Sequence, residues 1–351
     1  MESDGTRGVE LMEQVIERAR CTAMEQATES ETRDRKRNHC SSMVQGRLIG
    51  SQTGFATMSR PISIEEMVRQ FKSRHRTSHL FKIDNFSLFK KYEIRSVESS
   101  VFDLGGHKWR LRVYPNGAKN ASGHVSIFLK SQAPVNVKIE YEVFVVSQLK
   151  KIWESSGHKV FGTYSEPASR GIPKLISLVN LKRNGYLIGD CCMCGVMIHG
   201  IEPSASGTAE CFSIIEKPPN HRVTWMMTRF SSFEPEKVHH SHEFVVGNRK
   251  WRIQIHPRGF EKEKDKSFSV YLLRDGFINN APKTETFAKF NLRVLDQVNR
   301  NHIAKTCSGW LETSNGFADF MCLTKLVEPY LVNDKLYVGV DFEVISVASY
   351  C

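Results

Sequence analysis

Three groups of cysteine and histidine are the residues of this sequence whose types and spacing could perform chemistry. The first group is Cys191, Cys192 and Cys194, whose thiolates are ligands that zinc prefers. A structural zinc site needs a second pair of cysteines or histidines at a characteristic spacing, and the sequence offers none beside this group. The pattern therefore favours small buried thiols on a strand over a metal centre.

The second group consists of His239, His240 and His242. Neighbouring residues of a strand point to opposite faces of a sheet, so these imidazoles cannot all converge on one metal ion. We interpret them as loop or edge residues, and the sequence predicts no metal site.

The third group pairs Cys307 with His302, which are the residue types of a nucleophile and its base. No catalytic motif surrounds them. The sequence also lacks a serine nucleophile elbow, a phosphate-binding loop and a dinucleotide fingerprint. We therefore predict that the chain is not an enzyme and uses no cofactor.

Composition indicates the general class of protein. The 351 residues are 40% hydrophobic and 10% aromatic, which is enough for two or three globular domains. Nine cysteines without regular spacing argue against a disulfide framework and favour a reducing compartment. Because no signal peptide or membrane-spanning run is recognisable, we expect an intracellular protein, cytoplasmic or also nuclear, with no membrane association.

The net charge of +11 leaves an alternative function open, because a basic surface can bind RNA or another nucleic acid non-specifically. However, charges such as those of residues 261–266 alternate in sign, and no long basic run is interleaved with aromatic residues. A solvated basic surface is the preferred interpretation, with nucleic-acid binding as the alternative.

The elements that would position any site come from a pattern that occurs twice. FDLGGHKWRLRVYPNG begins at Phe102, and FVVGNRKWRIQIHPRG begins at Phe244. Each copy is typical of a glycine turn, an alternating half-buried strand and a proline turn. Such a long repeat indicates two copies of a whole domain.

Further strand patterns flank each copy, without long helical patterns between them. They predict an all-β chain of two tandem antiparallel sandwiches. We place the first domain at residues 77–199, a linker at 200–220 and the second domain at 221–347. The apolar run Cys211 to Ile215 in the linker is expected to dock on a sandwich. The large aromatics predicted to form the cores are Trp109, Trp251, Phe86 and Phe230.

The N-terminal segment, residues 1–76, is predicted to be largely flexible with short helices. Apolar residues at helical spacing predict an amphipathic helix over residues 8–29. Ser63 and Glu66 form a capping-box pattern that predicts the start of a second helix. The basic cluster from Arg33 to Arg37 resembles a nuclear-import signal, although a solvated charge run is the favoured interpretation.

Together these motifs resemble the MATH (meprin and TRAF homology) family, and in particular plant TRAF-like proteins with two MATH domains in tandem. The matching pattern is Phe-Ser after an opening aromatic, F-x-x-G-x-x-x-W, P-x-G, S-[IV]-[FY]-L and a late Y-L-x-x-D. It occurs twice and covers nearly everything from His79 to Ser346. The resemblance implies eight-stranded antiparallel sandwiches that bind peptides in a shallow groove and have no catalytic site.

The chain departs from the family pattern at two places. The usual opening Trp is Phe81 in the first copy. The Trp-Gly-Phe element that forms one groove wall in substrate adaptors is Arg170-Gly171-Ile172 in the first copy and Asn315-Gly316-Phe317 in the second, so its Trp is missing from both.

Six positions match the groove of the family, three in each domain. In the second domain they are Tyr271, Phe290 and Phe317, and in the first they are Phe128, Tyr141 and Ile172. Because side chains of a strand alternate between the two faces of a sheet, a groove position and a core position are equally open for each.

These considerations predict a non-enzymatic adaptor or scaffold that binds extended peptide segments of partner proteins by strand addition. The second domain is the expected binder, since it keeps an aromatic residue at all three of its groove positions. No BTB, RING or protease segment is recognisable, so ubiquitin ligase or deubiquitinase machinery is expected on another chain. Homo- or hetero-oligomers with other MATH proteins are a further expectation, and the identity of the partner stays open.

Overall fold

The structure is a computed structural model that describes residues 63–132, 135–148, 153–164, 169–200, 206–278, 281–311 and 313–351. The helix predicted over residues 8–29 and the flexible segment around it lie outside the described residues. The helix predicted to begin at Ser63 is confirmed, because the Ser63 side chain accepts a hydrogen bond from the Glu66 N–H.

The helices and strands follow one another in two similar series. The first series is α1 (Ile64–Arg74), β1 (Ser78–Asp84), α2 (Leu88–Lys91), β2 (Val97–Glu98), β3 (Phe102–Leu104), β4 (His107–Tyr114), β5 (His124–Ser131), β6 (Val135–Val146), β7 (Trp153–Tyr164), β8 (Ser169–Ser177), α3 (Leu178–Arg183), β9 (Leu187–Ile188) and β10 (Cys191–His199). The strand β11 (Thr208–Glu216) follows. The second series is β12 (Arg222–Thr228), β13 (His239–His240), β14 (Phe244–Val246), β15 (Arg249–His256), β16 (Ser267–Phe277), β17 (Thr286–Val294), β18 (Ile303–Leu311), β19 (Ser314–Cys322) and β20 (Lys335–Tyr350), with 3-10 turns at Phe230–Ser232, Glu261–Glu263 and Leu323–Lys325.

The described strands form three sheets. A ten-stranded sheet has the order β18-β17-β20-β11-β1-β10-β6-β7, with β12 on β20 and β9 on β10. Two five-stranded sheets have the orders β2-β4-β5-β8 and β13-β15-β16-β19, with β3 on β4 and β14 on β15. Each small sheet packs its apolar face on one half of the large sheet, which gives the two predicted sandwiches.

The two tryptophans of the repeated pattern lie at the centres of the two cores. Trp109 and Trp251 are both fully buried, and each indole N–H donates to a backbone carbonyl, that of Leu104 at 3.1 Å and that of Val246 at 3.0 Å. The indole ring thus adds a large buried area without leaving its polar atom unpaired. Phe86 is buried as predicted, whereas Phe230 is half-buried against the second core.

The paired Phe-Ser and Y-L-x-x-D motifs have a structural explanation. The Asp190 carboxylate accepts hydrogen bonds from the backbone N–H and the hydroxyl of Ser87, and Asp334 does the same for Ser231. In each domain this contact holds the end of the first strand beside the turn that leads into the last one. These charge-assisted hydrogen bonds stabilise the fold.

Part of the predicted linker is a strand. Residues 208–216 form β11, which pairs in parallel with β1 and antiparallel with β20. Phe212 and Ile214 of this strand are fully buried in the first core, which also contains Phe287 and Val344 from the second domain. The two sandwiches therefore share one continuous sheet and part of one core.

In the described ranges no helix combines the length and apolar character needed to cross a lipid bilayer.

Candidate peptide-binding surface

One edge of each small sheet is formed by a single strand of the repeated domain. Among the described residues, β19 pairs only with β16, and β8 pairs only with β5. An edge strand exposes a row of unpaired backbone N–H and C=O groups to which an extended peptide can add. The Gly171 and Gly316 motifs predicted to lie beside a groove are on these two edges.

A glycine is required at both edges because the neighbouring strand approaches too closely for a side chain. A Cβ atom on Gly316 would lie 2.3 Å from the Val270 carbonyl oxygen and 2.5 Å from the Tyr271 Cα. One on Gly171 would lie 2.0 Å from the Ile127 oxygen. In both domains the pairing register shifts next to this point, so the close approach lies beside a bulge.

Replacing Gly316 with alanine is therefore expected to destabilise the fold by about 1–3 kcal/mol, because the strands must separate to admit the methyl group. Urea denaturation of the variant measures this loss. Asn315→Ala on the same strand is the matched control and should stay within about 0.5 kcal/mol of the parent. Equal stability of the two variants would contradict the close approach.

The outer face of the second domain carries a cluster of three rings, His256, Phe260 and Tyr271, which we call the outer aromatic cluster. The ring centroids of His256 and Tyr271 are 5.8 Å apart, those of His256 and Phe260 4.6 Å, and those of Phe260 and Tyr271 6.1 Å. Tyr271 lies opposite Gly316 in the pairing register, so no side chain on β19 covers it from that position. Phe260 is 40% exposed, and the cluster thus presents apolar surface beside the free edge.

The first domain has a smaller version of this cluster. Phe128 lies opposite Gly171, and its ring meets that of Tyr114 edge to face at 5.7 Å. The turn residue that corresponds to Phe260 is Ala118, the residue after Pro-Asn-Gly. The first domain therefore offers two rings at this place where the second offers three.

The electrostatic surroundings of the outer aromatic cluster favour uncharged rings. Partial burial raises the pKa of the Tyr271 hydroxyl, and the nearby Glu261 and Asp319 carboxylates add to the effect. Burial also lowers the pKa of His256, with a smaller contribution from His240. Both shifts favour the neutral form of the ring, and the half-buried Tyr271 is suited to contact with an apolar side chain.

Phe317 and Ile172 occupy a different position from Tyr271 and Phe128. Phe317 pairs with Val270, whose side chain is in the core, so Phe317 points between the two sheets at their open edge. Its ring packs on Phe320 at 6.2 Å, and the Lys305 ammonium lies 5.2 Å from its centroid. Ile172 pairs with the buried Ile127 and is likewise half-buried.

Lys305 closes the gap between β18 and β19 beside that ring. Its ammonium group donates to the Asp319 backbone carbonyl at 2.6 Å and forms an ion pair with the Asp319 carboxylate at 3.1 Å. A lysine at an edge strand is a common device against unwanted pairing. A peptide that added along the whole of β19 would have to displace this contact.

The two remaining groove candidates lie inside the sandwiches. Phe290 and Tyr141 are fully buried in the second and first cores, respectively. Neither side chain can contact a peptide at the surface, so the core interpretation holds for them. The sheets bring Tyr271 and Phe317 to the same edge of the second domain, but on opposite faces of the strand pair.

The structure describes the surroundings of the cysteines that the sequence analysis considered. Cys192 and Cys194 are buried on β10, and burial raises the pKa of Cys194 to about 12. Burial also raises the pKa of Cys307 to about 11, the opposite of what a nucleophile requires. In the parts of the chain that the structure describes, no cluster of three or more His, Cys, Asp or Glu could hold a metal ion.

Sequence reasoning missed His256, Phe260 and Lys305. The sequence did contain a signal for His256, because the residue before each Pro-x-Gly turn is aromatic, Tyr114 in one copy and His256 in the other. No local pattern marks Lys305, because its contact with β19 joins two different sheets.

Comparison with known proteins identifies the class to which these sandwiches belong. The model of the MATH domain family matches residues 78–198 and again residues 222–342. The chain therefore belongs to the MATH domain family, whose domains are protein-interaction modules.

Several relatives match parts of the chain. Ubiquitin C-terminal hydrolase 13 of Arabidopsis thaliana is 34% identical over 142 residues, which cover 38% of this chain and 12% of the relative. The MATH domain and coiled-coil domain-containing protein At2g05420 of the same plant is 31% identical over 143 residues, 36% of this chain and 46% of the relative. The probable inactive serine/threonine-protein kinase fnkC of Dictyostelium discoideum is 25% identical over 291 residues, 75% of this chain and 20% of the relative. The chain covers less than half of the length of each of these relatives.

Proposed function

We propose that the protein is a non-enzymatic adaptor whose second MATH domain binds an extended peptide segment of a partner protein along β19. The observation that supports this most strongly is the outer aromatic cluster beside a glycine edge, where Phe260 and Tyr271 offer apolar contact next to unpaired backbone groups. The backbone of β19 contributes affinity in strand addition, while the rings select a side chain of the peptide.

The second domain is favoured over the first for a structural reason. Its third ring, Phe260, is replaced by Ala118 in the first domain, which leaves less apolar surface for an anchor. Because β11 joins the two sandwiches in one sheet, a partner with two segments would have to match a fixed spacing to engage both domains. We propose that any ubiquitin-related activity belongs to a partner chain, since the match to ubiquitin C-terminal hydrolase 13 covers only 12% of that relative.

The proposal predicts that Tyr271→Ala weakens peptide binding by about 1–3 kcal/mol, because a partly desolvated aromatic anchor is lost. The peptides are selected from a displayed random library on the full chain, and their affinities are measured by fluorescence anisotropy. Tyr271 is half-exposed at the outer face, so the thermal midpoint should change by only a few degrees.

Phe128→Ala is the matched control, since it removes the equivalent ring of the first domain. It should leave affinity unchanged. Phe317→Ala is a poorer test, because its ring also packs on Phe320 and its loss would lower stability. Failure to select any peptide, or a loss of affinity with Phe128→Ala and none with Tyr271→Ala, would contradict binding by the second domain.

A further inference from the structure

A cavity of about 760 Å³ lies beside α1, where the helix faces β11 and the end of β20. None of its lining residues belongs to the outer aromatic cluster. Its charged lining is mainly basic and consists of Arg69, Lys72, Arg76, Lys82 and the acidic Glu65. Two thiols, Cys211 and Cys351, are also part of its wall. A basic cavity that contains accessible thiols combines anion attraction with a nucleophile.

The pairing of β11 with β20 brings the two thiols together. Cys211 lies opposite Ser349, and the Cys351 N–H donates to the Ala209 carbonyl at 3.1 Å, so the two cysteines are diagonal neighbours. Such neighbours lie about 7–8 Å apart at Cα, roughly 1 Å beyond the usual range of a disulfide. Cys351 lies just after the end of β20, where a small backbone shift can supply this difference.

Charged groups surround the pair at short distances. The Cys211 thiol donates to the Asp84 carboxylate at 3.1 Å, and the Lys82 ammonium lies 3.7 Å from the Cys211 sulfur. Lys72 donates to the Cys351 carbonyl oxygen at 2.6 Å. The neighbouring Cys211 thiol and the Lys82 and Lys72 charges lower the pKa of Cys351. The contact with Cys351 and burial raise the pKa of Cys211.

The two thiols also differ in exposure. Cys351 is exposed, whereas Cys211 is half-buried behind it. An exposed cysteine with a lowered pKa beside a half-buried cysteine with a raised pKa is the arrangement of an attacking cysteine and a resolving cysteine.

We propose that Cys351 and Cys211 form a thiol–disulfide exchange pair that reacts with small anionic disulfides, such as oxidised glutathione, and closes into a reversible disulfide. The Cys351 thiolate attacks one sulfur of the small disulfide, whose S–S bond breaks and releases one thiolate. The Cys211 thiol then transfers its proton to this released thiolate and attacks the Cys351 sulfur. This second step releases the other small thiolate, which takes a proton from the solvent. The small disulfide is reduced to two thiols while the two cysteines are oxidised.

The disulfide joins β11 to the end of β20, at the strand pair that connects the two domains. Forming the disulfide therefore reinforces the strand that both sandwiches share. The reaction thus makes the stability of this strand pair dependent on the redox state of small thiols around the protein.

The test incubates the reduced full chain with oxidised glutathione and identifies cross-linked peptides by mass spectrometry. We expect a Cys211–Cys351 peptide that dithiothreitol reverses. In Cys211→Ser, glutathione should instead remain attached to Cys351, and in Cys351→Ser the cross-link should not form. A mixed disulfide that persists on Cys351 in the parent chain, or modification confined to the exposed Cys322, would overturn the proposal.

The charge of the cavity supplies a second readout. Oxidised glutathione is anionic and should react about tenfold faster than cationic cystamine at low ionic strength, as electrostatic attraction predicts. Lys72→Gln should reduce this preference, whereas Lys325→Gln, at a surface of the second domain, should not. Equal rates for the two disulfides with the parent chain would overturn the role of the basic lining.

Discussion

Replacing Phe212 with alanine is expected to lower the free energy of unfolding by about 3–5 kcal/mol, because a fully buried phenylalanine leaves a large cavity. Phe212 lies on β11, and its ring centroid is 6.2 Å from that of Phe81, 5.9 Å from that of Phe89 and 6.4 Å from that of Trp310. The first two belong to the first domain and Trp310 to the second. The loss should therefore affect the contact between the two domains as well as the first core.

Urea denaturation followed by tryptophan fluorescence measures this effect. The parent should unfold in one transition, because both domains share a sheet, while the Phe212→Ala variant should unfold at lower urea and over a broader range. Ser213→Ala on the same strand is the control and should stay within about 0.5 kcal/mol. A loss under about 1 kcal/mol for Phe212→Ala would show that β11 does not join the domains as described.

The stability of the chain is also expected to depend on pH through Glu210, a fully buried carboxyl group on β11. Burial raises its pKa from 4.5 to about 7, although the Ser100 N–H and hydroxyl, which donate to it, and the more distant Arg110 lower it. The folded state thus binds the proton more tightly than the unfolded state does. Stability from this group is fully present below about pH 4.5 and is lost as the pH rises through about 7.

Glu210→Gln removes this dependence because its side chain does not ionise. Relative to the parent, the variant should gain up to about 3 kcal/mol at pH 8 and much less at pH 4.5. Thermal or urea unfolding across this pH range provides the measurement, with Glu234→Gln at an exposed site as the control. A constant difference between Glu210→Gln and the parent at all pH values would contradict the raised pKa.

The cores were predictable because strand periodicity carries their positions. Trp109 and Trp251 alternate with charged residues, and only one face of such a strand can be buried. The same reasoning applies to Phe290, which alternates on β17 with Lys289 and Asn291 and lies on the buried face with Leu292. The family resemblance implied that Phe290 lies in the groove, whereas the periodicity of β17 correctly predicts that it lies in the core.

The role of β11 could not be derived from local sequence. Glycine and proline flank its apolar run, as in a linker, and its partners β1 and β20 are far away in the chain. Pairing over such distances depends on the completed sheets, not on the propensity of nine residues. For the same reason the sequence could not show that Tyr271 and Phe317 lie on opposite faces of the β16–β19 pair, since the pairing of these two strands decides it.

Amide hydrogen exchange tests the proposed peptide-binding edge most directly. The full chain is compared with and without a saturating concentration of a peptide selected on it, because strand addition would give the edge amides of β19 new hydrogen-bond partners. The account predicts increased protection in residues 314–322 and around Tyr271, with no change in the equivalent edge at residues 169–177. Protection of the first-domain edge alone, or of neither edge while the peptide is bound, would contradict it.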